Sequence, residues 1–155
     1  MHNETGPNLV YKEADHASSY LYVSRAVGPQ TTTVTGSILS TAQAYNQLHG
    51  ISGVLCQGQG LYLQVLEGER SAINRLYARI IRDPRHKDVE LLQLEEISER
   101  RFAKWSMAFV DISDRDPMIM MGHPEFDPYS APGALVMTLV DELVAAGHAI
   151  KLPVV

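Results

Sequence analysis

A chain of 155 residues that is 45% hydrophobic is sized for one globular domain and can bury a core without disulfides or metals. Its net charge of −5 and pI near 5.6 argue against direct nucleic-acid binding, which draws on a basic surface. The apolar runs fall far short of a membrane span, and the opening MHNETGPNLVYKEADHASS lacks the basic-then-apolar order of a signal peptide, so a cytoplasmic protein without a membrane partner is expected.

Residues 1–19 carry no sustained period and read as an N-terminal extension. Tyr20–Arg25 has strand composition, with Tyr20, Tyr22 and Ser24 on one face and Leu21 and Val23 on the other. Ala26–Gly36, with Gly28, Pro29 and its threonines, reads as a loop. A helix is predicted over Ser37–His49, where Ile38, Ala42 and Asn46 fall at four-residue steps, which turns an asparagine inward. Gly50 stands where a helix C-terminus favours glycine.

Ile51–Cys56 and Leu61–Leu66 flank Gln57–Gly60 as a β-hairpin. Gln64, between Leu63 and Val65, is a polar residue in an oily strand, and its amide must find partners or cost about 1–3 kcal/mol. Cys56, the single cysteine, reads as a buried reduced thiol. Ser71–Asp83 is predicted as a second helix, stopped by Pro84 and followed by a charged link to Asp88. Val89–Ile97 and Trp105–Ile112 are the remaining strands, and alternation puts Trp105, Met107 and Phe109 on one face.

The order strand, helix, strand, strand, helix, strand, strand predicts an α+β fold: a ferredoxin-like βαββαββ sheet with both helices on one face. Residues 113–132 are an irregular connection, in which Met118–Met121 reads as packing. A helix over Gly133–Gly147, with Leu135, Leu139 and Leu143 on its stripe, would cap the other face. The expected organisation is an extension at 1–19, a core domain at 20–112, and a linker with a helical cap at 113–155.

This topology points Tyr22, Asn46 and Gln64 into one layer, which Trp105 and Met107 can join from the last strand. The three are uncharged at neutral pH and lack the spacing of a metal site or a catalytic triad. Such a set suits a planar ligand with polar edges held between two helices.

The chain also carries, in order, Tyr22-Val23-Ser24, Asn46, Ile51-Ser52-Gly53, Gln64-Val65-Leu66-Glu67-Gly68, Asp83-Pro84-Arg85-His86, Arg101-Phe102 and Trp105-Ser106-Met107. With these pieces at compatible separations, it resembles the BLUF family of flavin-based blue-light sensors. The resemblance implies a flavin, FAD first with FMN or riboflavin as alternatives, bound between the two helices. It implies that Tyr22 supplies an electron and a proton on excitation, and that the Gln64 amide rearranges by rotation or tautomerisation. Asn46 would fix one polar edge of the ring, Ile38 and Ile80 would lie against it, and Trp105 and Met107 would carry the change outward. Arg79, Asp83, Arg85 and His86 would surround the ribityl chain and phosphate. Two departures are Ala42, where some members have serine, and Tyr45, where some have histidine.

The expected function is a photoreceptor without enzymatic activity, signalling to a separate downstream protein or through its own homo-oligomer. Nothing after residue 112 is long enough for a fused cyclase or phosphodiesterase domain. The competing readings are a small flavin oxidoreductase, which lacks a nicotinamide glycine fingerprint here, and an interaction module that has lost its chromophore.

Overall fold

The structure, a computed structural model, describes residues 17–112, 127–145 and 149–153. The extension before Ala17 and the Met118–Met121 run lie outside the described residues. The elements are β1 (Ala17–Ala26), α1 (Thr32–His49), β2 (Ser52–Gly58), β3 (Leu61–Gly68), α2 (Arg70–Ile80), β4 (His86–Ile97), β5 (Trp105–Asp111), α3 (Gly133–Ala145) and β6 (Ala149–Pro153). They build one mixed sheet in the order β4-β1-β3-β2-β5-β6, with β2 and β5 parallel and the other neighbours antiparallel. The α+β, ferredoxin-like arrangement is the one expected from the element order. Among the described residues, no helix is long and apolar enough to cross a membrane.

Strand alternation divides the interior into two cores. Tyr20 and Tyr22 of β1, Leu66 of β3 and Met107 of β5 face α1 and α2, and pack in one core with Ile73 and Leu76 of α2. Leu21, Val23, Val54, Val65 and Val110 face the opposite way, where Val136, Leu139, Val140 and Leu143 of α3 cover them. The α3 stripe differs from the sequence expectation, since Leu135 is exposed and Val136, Met137 and Val140 are buried. A four-residue step drifts around the helix, and the wider apolar face decides which residues turn inward.

Several boundaries also move. β1 begins at Ala17, so the last residues assigned to the extension, Ser18 and Ser19, are buried sheet residues. α1 starts five residues before Ser37, because Thr31 caps it: its hydroxyl accepts the Val34 N–H at 3.2 Å. Thr35 is inside that helix and donates to Gln57 Oε1 at 2.8 Å. Gly50 closes α1 in the left-handed region, at φ 66°, as the sequence predicts.

The β2–β3 hairpin turns on Gln59 and Gly60, with φ of 55° and 79°, the signs of a type I′ turn. Gln30 braces it, donating to Leu61 O at 2.8 Å and accepting from Gly60 N at 3.0 Å. α2 ends at Ile80, three residues ahead of Asp83, and the presumed link is already strand from His86. β6, assigned to the cap from sequence, instead extends the sheet beside β5.

Candidate functional site

A cavity of about 180 Å³ opens between α1, α2 and the sheet. Two of its walls are apolar: Ile38 and Ala42 come from α1, and Leu76 and Ile80 from α2. Its floor is the sheet face that carries Tyr22, Leu55, Tyr62, Gln64 and Leu66. Helical four-residue steps aim Ile38, Ala42 and Asn46 at the same space, and strand alternation does the same for Tyr62, Gln64 and Leu66.

β1 and β3 are paired so that Tyr22 lies directly across from Gln64. The Tyr22 hydroxyl donates to Gln64 Oε1 in a buried hydrogen bond. The other end of that amide, Nε2, donates to Met107 Sδ at 3.5 Å, and a thioether is a weak acceptor. The Gln64 amide is therefore held firmly at its oxygen and loosely at its nitrogen. Burial, with additions from Tyr77, Asp83 and Tyr62, holds the Tyr22 phenol well above its ordinary pKa range, so the group is neutral under all working conditions.

Asn46 is fully buried and donates from Nδ2 to Ser106 O at 2.7 Å. That bond fixes the orientation of its amide and leaves Oδ1 without a partner in the protein. An unpaired buried amide oxygen on a residue that lines the cavity calls for a donor. An N–H on the edge of a planar heterocycle meets that need.

At the mouth, Asp83 accepts from Arg85 through Nε at 3.0 Å and Nη2 at 2.6 Å, and from the Arg85 backbone N–H at 2.9 Å. The Arg85 hydrogen bonds hold the Asp83 carboxyl below its ordinary range. His86 is fixed at both ring nitrogens, Nδ1 at 2.8 Å from Ser24 Oγ and Nε2 at 2.5 Å from Ile80 O. The Ile80 carbonyl only accepts, so Nε2 carries a proton and Nδ1 is free to accept from the serine. Arg79 lies over the Tyr45 ring at 4.6 Å, and Tyr45 packs on His49 with centroids 4.1 Å apart. Two guanidinium groups thus flank the opening, the chemistry a phosphate tail would meet.

The structure brings Tyr22, Ile38, Asn46, Gln64, Arg79, Ile80, Asp83, Arg85 and His86 to one cavity, and Met107 to its floor through Gln64. Trp105 is the exception. It packs with the opposite core and stacks on Phe102 at 5.9 Å, because the β5–β6 register shifts between Trp105 and Met107 and breaks the alternation that would have faced them alike. Thr41 and Tyr62 also line the cavity, and sequence reasoning missed both. The signal for Tyr62 was its two-residue spacing from Gln64.

A family model described as "BLUF: Sensors of blue-light using FAD" matches residues 18–108, more than half of the chain. The photoactivated adenylate cyclase subunit beta of Euglena gracilis is 32% identical over 103 residues, 66% of this chain and 12% of that protein. The chain thus spans about an eighth of the length of that relative. Among solved structures, the BLUF protein BlrB in its dark state matches with a TM-score of 0.71 and 28% identity, over 86% of this chain and 98% of BlrB. Klebsiella pneumoniae BlrP1 with FMN and cyclic diGMP matches with a TM-score of 0.58 and 27% identity, over 80% of this chain and 30% of BlrP1.

Proposed function

Because this chain belongs to the BLUF family, the sensors of blue light using FAD, we propose that its cavity holds the flavin ring and that Tyr22 and Gln64 are its photoactive pair. The single observation that carries this reading is the Tyr22–Gln64–Met107 line of hydrogen bonds across the cavity floor. The flavin, when bound, supplies the absorption of blue light and the oxidising power of its excited state. Everything else is the work of this chain's residues.

Ile38 and Ile80 exclude water from the two ring faces, and Asn46 Oδ1 orients the ring by accepting from its edge. With a flavin bound, Tyr22, kept neutral by burial, would donate an electron to the excited ring and release its phenolic proton with it. The proton has a ready path along the hydrogen bond to Gln64 Oε1. An amide both donates and accepts, so Gln64 can exchange its present arrangement for one in which Tyr22 accepts instead. The weak thioether contact at Nε2 makes that exchange inexpensive. Arg79, Asp83, Arg85 and His86 grip the tail, with FAD first and FMN as the alternative that BlrP1 illustrates.

In this reading residues 20–112 receive light and residues 113–155 pass the change on, to a separate protein or through a homo-oligomer, with no catalysis by this chain. Trp105 then acts from the far core rather than beside the ring. Light-minus-dark absorption of the purified protein tests the reading: the protein is yellow, and blue light gives a reversible red shift. Tyr22→Phe keeps the colour and loses the shift. A colourless protein that takes up no added flavin, or a Tyr22→Phe variant with an unchanged photocycle, overturns it.

A further inference from the structure

Glu67 stands three residues beyond Gln64 on β3 and is fully buried. Its two carboxylate oxygens accept backbone N–H groups from the turn that precedes β5, Arg101 N at 2.9 Å and Phe102 N at 2.8 Å. The same turn is held at two more points. Arg100 Nη1 donates to Gly50 O at 2.8 Å and to Ser52 Oγ at 3.3 Å, where α1 passes into β2. The Arg101 guanidinium pairs with Asp141 on α3. The Phe102 ring is buried in the core that α3 covers, and Phe102 O accepts the Trp105 N–H at 3.1 Å.

Gln64 and Asn46, the two amides of the cavity, each have a short path to this turn. Gln64 reaches it along β3 through Glu67. Asn46 reaches it through the end of α1, since Asn46 O accepts the Ile51 N–H at 2.9 Å and Arg100 holds the adjacent Gly50 carbonyl. Asn46 also holds Ser106 O, and Gln64 holds Met107, on the strand that the turn feeds.

We propose that the Arg100–Phe102 turn, clamped by Glu67, carries a change at Gln64 and Asn46 to α3 through the Arg101–Asp141 contact, with Glu67 as the positioning residue. The energetics suit a clamp with two states. A buried carboxylate is disfavoured by desolvation, which raises its pKa, while the two backbone N–H groups and the Arg100 and Arg101 charges act the other way. Burial outweighs them and leaves the carboxyl above its ordinary range, and the clamp is held by the two backbone N–H groups alone, so a small displacement of β3 that lengthens those bonds shifts it. The Arg101–Asp141 pair is partly exposed on both sides, and pairs of that kind contribute about 0–1 kcal/mol. It is remade in a new position at little cost.

The inference rests on the photoreceptor reading, and one experiment separates the two. Amide hydrogen exchange is followed on the full chain with its flavin, in the dark and under blue light, beside the absorption shift. In the wild type, light speeds exchange at the Arg101 and Phe102 amides by about tenfold or more, the change expected when a charge-assisted hydrogen bond is lost, and alters exchange along α3. Glu67→Gln and Asp141→Asn keep the red shift and lose the light-dependent difference in α3. That difference is the decisive reading, because a purely structural role for Glu67 would change exchange equally in both states. Should Glu67→Gln not fold, Asp141→Asn on the surface of α3 decides alone. A red shift with no light response at Arg101 and Phe102, or an α3 response that survives Asp141→Asn, overturns this inference and leaves the photoreceptor reading intact. Absence of the red shift in the wild type overturns the photoreceptor reading itself.

Discussion

Asn46 does two jobs with one amide, and the division between them can be measured. Its Nδ2 satisfies Ser106 O on β5, and its Oδ1 has no partner in the protein. Asn46→Ala removes both, leaving a buried carbonyl without a donor and the ligand edge without an acceptor. Flavin affinity falls by about tenfold, the equivalent of one net hydrogen bond, and a flavin titration of the stripped protein measures it. Asp83 supplies a prediction in pH. Arg85 lowers its pKa, so the stability it contributes is present above the ordinary aspartate value of about 3.9 and disappears as the pH falls through the lowered value. The melting-temperature gap between wild type and Asp83→Asn is therefore widest near neutrality and closes in acid. A gap that stays constant down to the acid limit would remove Asp83 from the mouth's electrostatics.

At the scale of elements, the sheet is legible wherever period and pairing agree. Tyr22 and Gln64 announce themselves because strict alternation seats each on the helix-covered face, and Asn46 because four-residue steps carry it there with Ile38. Trp105 was misplaced because alternation cannot see the register shift ahead of Met107. The start of α1 was hidden by β-branched threonines and Gly36, weak helix formers whose cost is offset by the Thr31 cap and the Thr35–Gln57 bond. β6 was unreadable because its five residues have no pattern of their own and depend on β5 for every ladder bond. Gly53, within the β2–β3 hairpin, shows how tightly that region is drawn: a Cβ there would strike the Val65 carbonyl, next to Gln64. Gly53→Ala pushes β3 outward, costs about 1–3 kcal/mol of stability, and disturbs the Gln64 amide. Denaturant melts and the position of the flavin absorption band measure both effects, and an unchanged midpoint would show that the two strands part without cost.

For the molecule as a whole, one sheet serves two interiors, and they should fail together. The flavin-side core and the α3-side core share β1, β3, β2 and β5, so neither persists once the sheet is lost. Leu143 is fully buried in the far core and reaches the cavity only through the sheet. Leu143→Ala opens a cavity there and costs about 2–5 kcal/mol. It leaves the size of the light-induced red shift unchanged, because Tyr22, Gln64 and Met107 keep their hydrogen bonds. Bound flavin acts on the same equilibrium from the near face, adding about 2.7 kcal/mol at a free concentration of one hundred times its Kd. With the two sites on opposite faces of the sheet, the effects add apart from the coupling that the Arg100–Phe102 turn carries. Denaturant unfolding followed by flavin absorbance and by far-ultraviolet circular dichroism therefore gives coincident curves in wild type and Leu143→Ala alike. Curves that separate, with flavin lost before the sheet, would mean that the helix-covered face opens on its own and that the two interiors are not one cooperative unit.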